Sequence, residues 1–452
     1  MLDKRDTMAL QEKRSLVQFG LNRRLLRCVG LWPEERGSPW RPSRWPNALL
    51  QQGSLAAMVT SELAALRQYW GGELSHTTIN ACIILLVAVA LCKASSLVSL
   101  RRPIIQLMHT LQDTSVPQNE WEERIYSGAA RHARLLTLVL CVDYAIVAFI
   151  WDSLPLLNFM QQSPESRYNN SDAIFSQYPI IALYPWEVQT GPAYAFTYTL
   201  QVMCGAIFTM THLACDTFLM SLVIYICSQI DVLRASLQQL GRRADRVGAA
   251  AAVAEAQADA ELSVGRLGGG SDPVKALCGQ GSEQELYQEL VACIKHHKNI
   301  IGYVGVLQQV LSPVALAQFM CSMVIICLSG FGIAISNDFG ALCRYCVYFT
   351  GAAIQLLIFC WYGEVLITKS ERVSEAAMGC GWTEVRGRHF KSSALILMIR
   401  AQRPLALTGS KFYVISLKTF VQLLNASYSF FAVLRQLNES GHREEEGALA
   451  SL

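Results

Sequence analysis

The sequence predicts an all-α membrane protein that crosses the bilayer seven times, and three observations lead to this fold class. Of its 452 residues, 52% are hydrophobic and only 16% are charged, whereas soluble proteins carry about 25% charged residues. The apolar residues are clustered into blocks long enough for membrane-spanning helices. Lysine and arginine are concentrated in alternate connecting segments, as the positive-inside rule requires of cytoplasmic loops. We therefore predict a polytopic protein with an intracellular N-terminus and an extracellular C-terminus.

The first half of the chain contains a basic leader and four predicted spans. Residues 1–45 form the predicted cytoplasmic N-terminal segment, because ten lysines and arginines lie there. Spans 1 to 4 occupy residues 46–240, and the loop at 158–193 between spans 3 and 4 is predicted to be extracellular. Within that loop, Asn169 begins a sequon and is a candidate for N-glycosylation. The spans are predicted at about Pro46–Tyr69, Thr78–Leu100 and Leu135–Leu157, and from Tyr194 onward.

The fourth and fifth helices are predicted to be longer than a bilayer is thick. The helical pattern from Tyr194 to about Leu240 corresponds to about 70 Å, whereas the hydrocarbon core is about 30 Å thick. Residues 282–437 resume the pattern and contain spans 5 to 7, followed by an extracellular tail at 438–452. We predict that the two long helices project inward and pack as a cytoplasmic anchor, joined by a flexible Ala- and Gly-rich linker at 241–281.

A few ionisable residues lie within predicted helices. Asp143 is in span 3, and His212 lies four residues before Asp216 in span 4, so these two can face each other. They form either a structural pair or part of a proton relay. His296 and His297, between two lysines, predict a solvated helix face. The chain has no nucleophile elbow, phosphate-binding glycine loop or paired metal motif, so we expect no enzyme, no cofactor and no metal.

Aromatic and apolar residues recur in the outer halves of spans 3, 4 and 6. Their separate positions are explained by anchoring at the lipid interface. Together they also predict a pocket for a small volatile apolar ligand, which would bind by shape and dispersion. The net charge of +3 gives no indication of a nucleic-acid partner. The predicted pocket residues are Tyr144, Val147, Trp151, Tyr198, Val202, Met203, Tyr345 and Tyr348.

The predicted seventh span, residues 416–437, carries its polar residues at helical spacing. They form one face, which we call the polar stripe, and Val433 is its one apolar member. The stripe either hydrogen-bonds a neighbouring helix or forms a pore wall, in which Val433 would be an apolar constriction that gates by dewetting. The stripe consists of Lys418, Gln422, Asn425, Ser429, Val433 and Gln436.

The same region resembles the C-terminal part of insect odorant receptors. The resemblance rests on Ser427–Phe431 with Leu434, and on Gly30–Pro33 near the N-terminus. It implies an odorant-gated, non-selective cation channel, a heterotetramer with the shared co-receptor, in the plasma membrane of olfactory sensory neuron dendrites. It also implies a gate at Val433, Gln436 and Leu437, next to Ser429. Further matching residues are Tyr362-Gly363-Glu364, Ser370, Trp382, Arg403-Pro404, Thr408, Phe412, Ser416-Leu417 and Thr419-Phe420.

Two other functions are compatible with parts of the sequence. Ser429-Phe430 followed by Gln436-Leu437 partly matches the end of gustatory receptors, a related class of channel. A proton-coupled transporter would use Asp143, His212 and Asp216 as a relay, although transporters often show two similar halves and this chain shows no internal repeat.

Overall fold

The computed structural model describes residues 19–32, 45–68, 74–161, 177–186, 191–263, 273–336 and 338–450. This part of the chain is helical apart from one short hairpin, so the all-α prediction is confirmed. The elements in chain order are α1 (Gly20–Cys28), α2 (Trp45–Gln68), α3 (Leu74–Ser99), α4 (Arg101–Thr114), α5 (Glu120–Gln161), α6 (Gly191–Ser263), α7 (Pro273–Ile335), α8 (Phe339–Met378), α9 (Arg388–Ala401), β1 (Thr408–Gly409), β2 (Tyr413–Val414) and α10 (Leu417–Ala450).

All seven predicted spans are helices in the structure. Among the described residues, α3, α5, α6, α7 and α8 are long and apolar enough to cross a membrane by length and composition. The predicted first and seventh spans are α2 and α10, which are interrupted by more polar residues. Most of the predicted N-terminal segment and the sequon at Asn169 lie outside the described residues.

Helix α6 is the centre of the bundle. Every residue from Thr211 to Ile230 is buried, and α6 contacts α1, α2, α3, α5, α7 and α8. Small hydroxyl residues on α6 donate to carbonyls one turn earlier, as Thr217 does to Leu213 at 2.7 Å. Such bonds satisfy polar groups in an environment where water is absent. The central helix can therefore pack on all sides.

The two long helices continue well beyond the bilayer, as predicted. Helix α6 has 73 residues and α7 has 63, or about 110 and 95 Å at 1.5 Å per residue. Their inward ends pack together: Arg243 of α6 forms ion pairs with Glu285 and Glu289 of α7. Helix extends into the predicted flexible linker from both sides, as far as Ser263 in α6 and from Pro273 in α7. Only residues 264–272 of that linker lie outside the described part.

The prediction of a solvated face at His296 and His297 is wrong. His297 is only 6% exposed, and His296 Nε2 lies 2.9 Å from Gln229 Oε1. Gln229 in turn donates to Ser115 Oγ at 2.9 Å. Burial lowers the pKa of both histidines to about 4. They are therefore neutral packing residues of the cytoplasmic anchor, and the flanking lysines gave a misleading pattern.

A short hairpin, β1–β2, docks on α7. The side chain of Gln308 bonds the backbone of Thr408 in both directions, each at 2.8 Å. Tyr413 stacks on Phe319 with ring centroids 4.8 Å apart, and its hydroxyl donates to the Ala315 carbonyl at 3.2 Å. The hairpin therefore fixes where the last helix begins.

The segment that leads into α10 also docks on α8. Ser370 accepts a bond from the Leu405 amide at 2.8 Å, and Glu364 accepts one from the Leu417 amide at 3.2 Å. Gly363 lies directly against Ile415, and a Cβ there would collide with the Ile415 carbonyl. These residues hold irregular backbone at the base of α10.

We predict that Gly363→Ala prevents this docking. The obstacle is backbone, which cannot rotate away, and overpacking of this kind costs about 1–3 kcal/mol. The expected result is lower thermal stability and less receptor at the cell surface. Stability is measured from the size-exclusion peak that remains after heating, and the surface level by surface biotinylation. The matched control is Gly128→Ala, because a Cβ at Gly128 meets nothing within 4 Å. Equal stability of both variants would contradict the close approach at Gly363.

Candidate functional site

An apolar cavity lies between helices α2, α3, α5, α6 and α8. Its volume is about 160 Å³, and an apolar cavity of about 150 Å³ accommodates benzene. Its lining includes residues toward the end of α5 and the start of α8, which are both predicted to be extracellular ends. We call it the outer cavity. Its aromatic lining residues are Tyr144, Trp151, Phe208, Tyr348 and Phe359.

Four of the eight predicted pocket residues line the outer cavity: Tyr144, Val147, Trp151 and Tyr348. Trp151 and Tyr348 meet with ring centroids 4.9 Å apart. The Arg344 guanidinium lies 5.6 Å from the Trp151 ring centroid. The three residues on α5 line the cavity together because residues three and four apart share a helix face.

The other four predicted residues do not line this cavity. Tyr345 is fully buried, and its ring packs against Gly332. Met203 is 58% exposed on the outside of the bundle. Val202 is partly buried away from the cavity, and the Tyr198 hydroxyl donates to the Asp152 carbonyl. The rotation of α6 places Gly205, Phe208, Thr209, His212 and Asp216 at the cavity instead.

The inner end of the outer cavity is a polar network, which we call the polar floor. Lys93 Nζ lies 2.7 Å from Asp216 Oδ1 and 3.2 Å from His212 Nδ1. Gln355 donates to Asp216 Oδ2 at 2.6 Å and to the Tyr144 hydroxyl at 3.0 Å. The Tyr144 hydroxyl lies 3.3 Å from the same carboxylate oxygen. Four helices, α3, α5, α6 and α8, therefore meet at one carboxylate.

Most groups of the polar floor form hydrogen bonds within it or to the neighbouring backbone. His212 Nε2 lies 3.1 Å from the Leu86 carbonyl and donates its hydrogen to it, while Nδ1 accepts a hydrogen bond from the Lys93 ammonium. The imidazole is therefore neutral. Gln355 Oε1 accepts a bond from Gln318 at 2.9 Å. Apart from Gln318 Oε1, which has no hydrogen-bond partner among the described residues, these groups bond one another, so the polar floor ties its helices together beside an otherwise apolar cavity.

The prediction of a structural pair at His212 and Asp216 missed a third member, Lys93. The Lys93 side chain is fully buried, and its ammonium also lies 5.5 Å from the Phe359 ring centroid. A single lysine inside an apolar span is itself an indication of a buried partner, and Lys93 is the only lysine or arginine in the predicted span 2. No group of three or more possible ligands in the described residues could hold a metal ion.

The predicted gate residues lie on an uncovered face of α10. Val433 is 55% and Leu437 is 64% exposed, and Ser429 and Gln436 are exposed as well. The opposite face packs inward, as Ser427 does by donating to the Met323 carbonyl at 3.2 Å. No helix in the described part of the chain covers the polar stripe. It is therefore free to face another subunit or an aqueous path.

A family model and the curated relatives that match this chain are all odorant receptors. A family model described as 7tm Odorant receptor matches residues 74–428. Odorant receptor 2a of Drosophila melanogaster is 31% identical over 180 residues, which are 38% of this chain and 45% of that protein. Odorant receptor 13a of the same species is 24% identical over 279 residues, or 59% of each chain. Odorant receptor Or2 of Anopheles gambiae is 24% identical over 56% of this chain and 58% of its own length. The matched regions thus span about half of these curated relatives.

Solved structures show the same fold over nearly the whole chain. The insect olfactory receptor OR5 from Machilis hrabei, in complex with eugenol, superposes with a TM-score of 0.73 at 15% identity. The match covers 94% of this chain and 98% of that one. The same receptor described without eugenol gives a TM-score of 0.73 at 14% identity, covering 96% and 100% of the two chains.

We predict that Lys93→Met destabilises the bundle more than the double variant Lys93→Met with Asp216→Asn. The single variant leaves a buried carboxylate without its cation, which costs about 3–5 kcal/mol. In the double variant the asparagine oxygen still accepts from Gln355 and Tyr144, and no charge is left unpaired. The measurement is thermal melting of the solubilised full-length chain. Equal melting temperatures for the two variants would show that the ion pair does not carry this stability.

Proposed function

The chain belongs to the insect odorant receptor family, and we propose that it is the odorant-binding, tuning subunit of an odorant-gated, non-selective cation channel. In this proposal it assembles as a heterotetramer with the shared co-receptor in the plasma membrane of olfactory sensory neuron dendrites. It is a multi-pass membrane protein and not an enzyme. The observation that carries the proposal is the outer cavity, which combines an aromatic wall with a small volume.

The lining of the outer cavity suits a small, largely apolar ligand. Burial of apolar surface supplies most of the binding free energy, at roughly 25 cal/mol per Å². The polar groups of the floor largely bond one another, so few of them need a hydrogen bond from the ligand. The similar olfactory receptor OR5 from Machilis hrabei was solved in complex with eugenol. That complex supports small-molecule binding as a use of this fold.

The polar floor offers a physical route from ligand to channel. A ligand that fills the outer cavity contacts side chains of α5, α6 and α8, which the polar floor ties together at Asp216. A ligand shifts a conformational equilibrium only by its difference in affinity between the two states. We propose that the open state has the better-fitting cavity, so that odorant binding favours opening.

The uncovered polar stripe supports a pore at the subunit interface. One α10 helix provides one wall, so a closed pore requires other subunits around it. Lys418, Gln422 and Asn425 are exposed along this face, while Val433 supplies the apolar position at which a water column would break. The neighbouring Arg435 is also exposed and has an interaction within the chain.

We predict that Trp151→Ala changes the rank order of odorants. The substitution removes an aromatic wall of the outer cavity, so odorants that contact the indole lose about tenfold or more in potency, whereas smaller ones lose little. The measurement is agonist-evoked current over an odorant panel with the co-receptor present. Phe196→Ala is the control, because Phe196 is 60% exposed and does not line the cavity. A uniform change in potency for all odorants would place Trp151 outside the binding site.

We predict that Val433→Ser raises the current that flows without odorant, or alters ion selectivity, because a hydroxyl hydrates the constriction. The rank order of odorants should stay the same, since the outer cavity is formed by other helices. Leu424→Ser is the control, because Leu424 packs against the core and its substitution should mainly lower surface expression. A Val433→Ser receptor with normal surface level, basal current and selectivity would contradict the pore assignment.

A further inference from the structure

Three aspartates line the outer cavity, and within the described part of the chain only one of their carboxylates has a partner. Asp216 is neutralised by Lys93. Asp143 and Asp152 also line the cavity, and neither carboxylate forms an ion pair or a hydrogen bond within the described part of the chain. No lysine or arginine is among the described lining residues. The cavity therefore has a negative charge that the receptor itself leaves uncompensated.

Asp143 lies well inside the predicted span 3. It is 14 residues before Leu157, the predicted outer end of span 3, or about 21 Å below it at 1.5 Å per residue. On α5 it shares the cavity face with Val147 and Trp151, while Val142 and Ile146 are exposed on the other side. A carboxylate at this depth is costly without a partner, and such residues commonly mark a ligand or ion path.

A second polar group in the same cavity lacks a partner. Tyr348 lines the cavity and is only 7% exposed, and its hydroxyl has no hydrogen-bond partner among the described residues. Buried hydroxyls are normally satisfied, so an orphan one is an indication of a missing ligand group. The faces of the aromatic lining residues attract cations as well as apolar groups.

We propose that the outer cavity binds a small protonated amine. Its ammonium group pairs with the Asp143 carboxylate, and its hydrocarbon body extends outward along the aromatic wall toward Tyr348. Asp143 is preferred over Asp152 because Asp152 lies nine residues nearer the predicted outer end of span 3, where water can solvate its carboxylate without a bound ligand. This inference names the ligand class of the proposed odorant site and therefore rests on the proposed function.

The test compares amines with alcohols of the same carbon skeleton. The full-length chain is expressed with the co-receptor, and currents are recorded at neutral pH for three pairs: 2-phenylethylamine and 2-phenylethanol, hexylamine and hexanol, and isoamylamine and isoamyl alcohol. We expect at least one amine to be about tenfold or more potent than its alcohol in the wild-type receptor. This comparison needs no variant, so it stands even if a substitution impairs folding.

Substitutions then test which aspartate carboxylate pairs with the ammonium group of the amine. In Asp143→Asn the potency of the amine should fall by about 10- to 100-fold, while that of the alcohol changes by less than about threefold. Asp143→Glu, which keeps the charge, should retain the amine preference. Asp152→Asn is the matched control and should leave the preference intact. Loss of the preference in Asp152→Asn alone would overturn the assignment to Asp143.

The remaining outcomes separate the two proposals. If alcohols evoke current and no amine is preferred, the amine inference is overturned while odorant gating stands. If the receptor reaches the surface with the co-receptor and neither these pairs nor a broad odorant panel evokes current, the proposed function fails, and the amine inference fails with it.

Discussion

Lys93 and Asp216 meet at the centre of the bundle, with side chains 0% and 4% exposed and a separation of 2.7 Å between Nζ and Oδ1. Neither charge can be left alone at this depth, because an unpaired buried charge costs several kcal/mol. The same carboxylate also binds Gln355 and Tyr144. Four helices are thereby held at one level, which apolar packing alone would specify poorly, since lipid tails are as apolar as leucine.

The hydrogen bonds within the polar floor determine which polar groups of the outer cavity remain for a ligand. Since the groups of the polar floor are largely bonded to one another, the polar groups left for a ligand are the lining groups outside the floor. Tyr348 and Asp143 are such groups, and the structure surrounds them with aromatic side chains. The receptor thus separates rigid support from ligand recognition: one aspartate holds the helices, and another carries an uncompensated charge.

The last helix shows a similar division of roles. Its inner end is fixed by the hairpin on α7 and by Ser370 and Glu364 of α8, which are among the residues that resemble the family. Its outward face remains uncovered in a single chain. The family motif in this region is therefore explained largely by docking of irregular backbone. The exposed polar stripe is explained by contacts that other subunits must make with it.

The sequence by itself determined the helices of the seven predicted spans, because hydrophobic clustering and helical periodicity are local properties of the chain, whereas the shorter helices α1, α4 and α9 were not predicted. It also identified the family through residues that dock α10. Only the tertiary structure decided how α6 is rotated. With that rotation Phe208 and His212 line the cavity, and Tyr198, Val202 and Met203 do not. The tertiary structure likewise revealed that Lys93 is the partner of Asp216, 123 residues away. Periodicity defines a face on each helix, but which faces meet depends on packing and charge pairing between helices far apart in the chain.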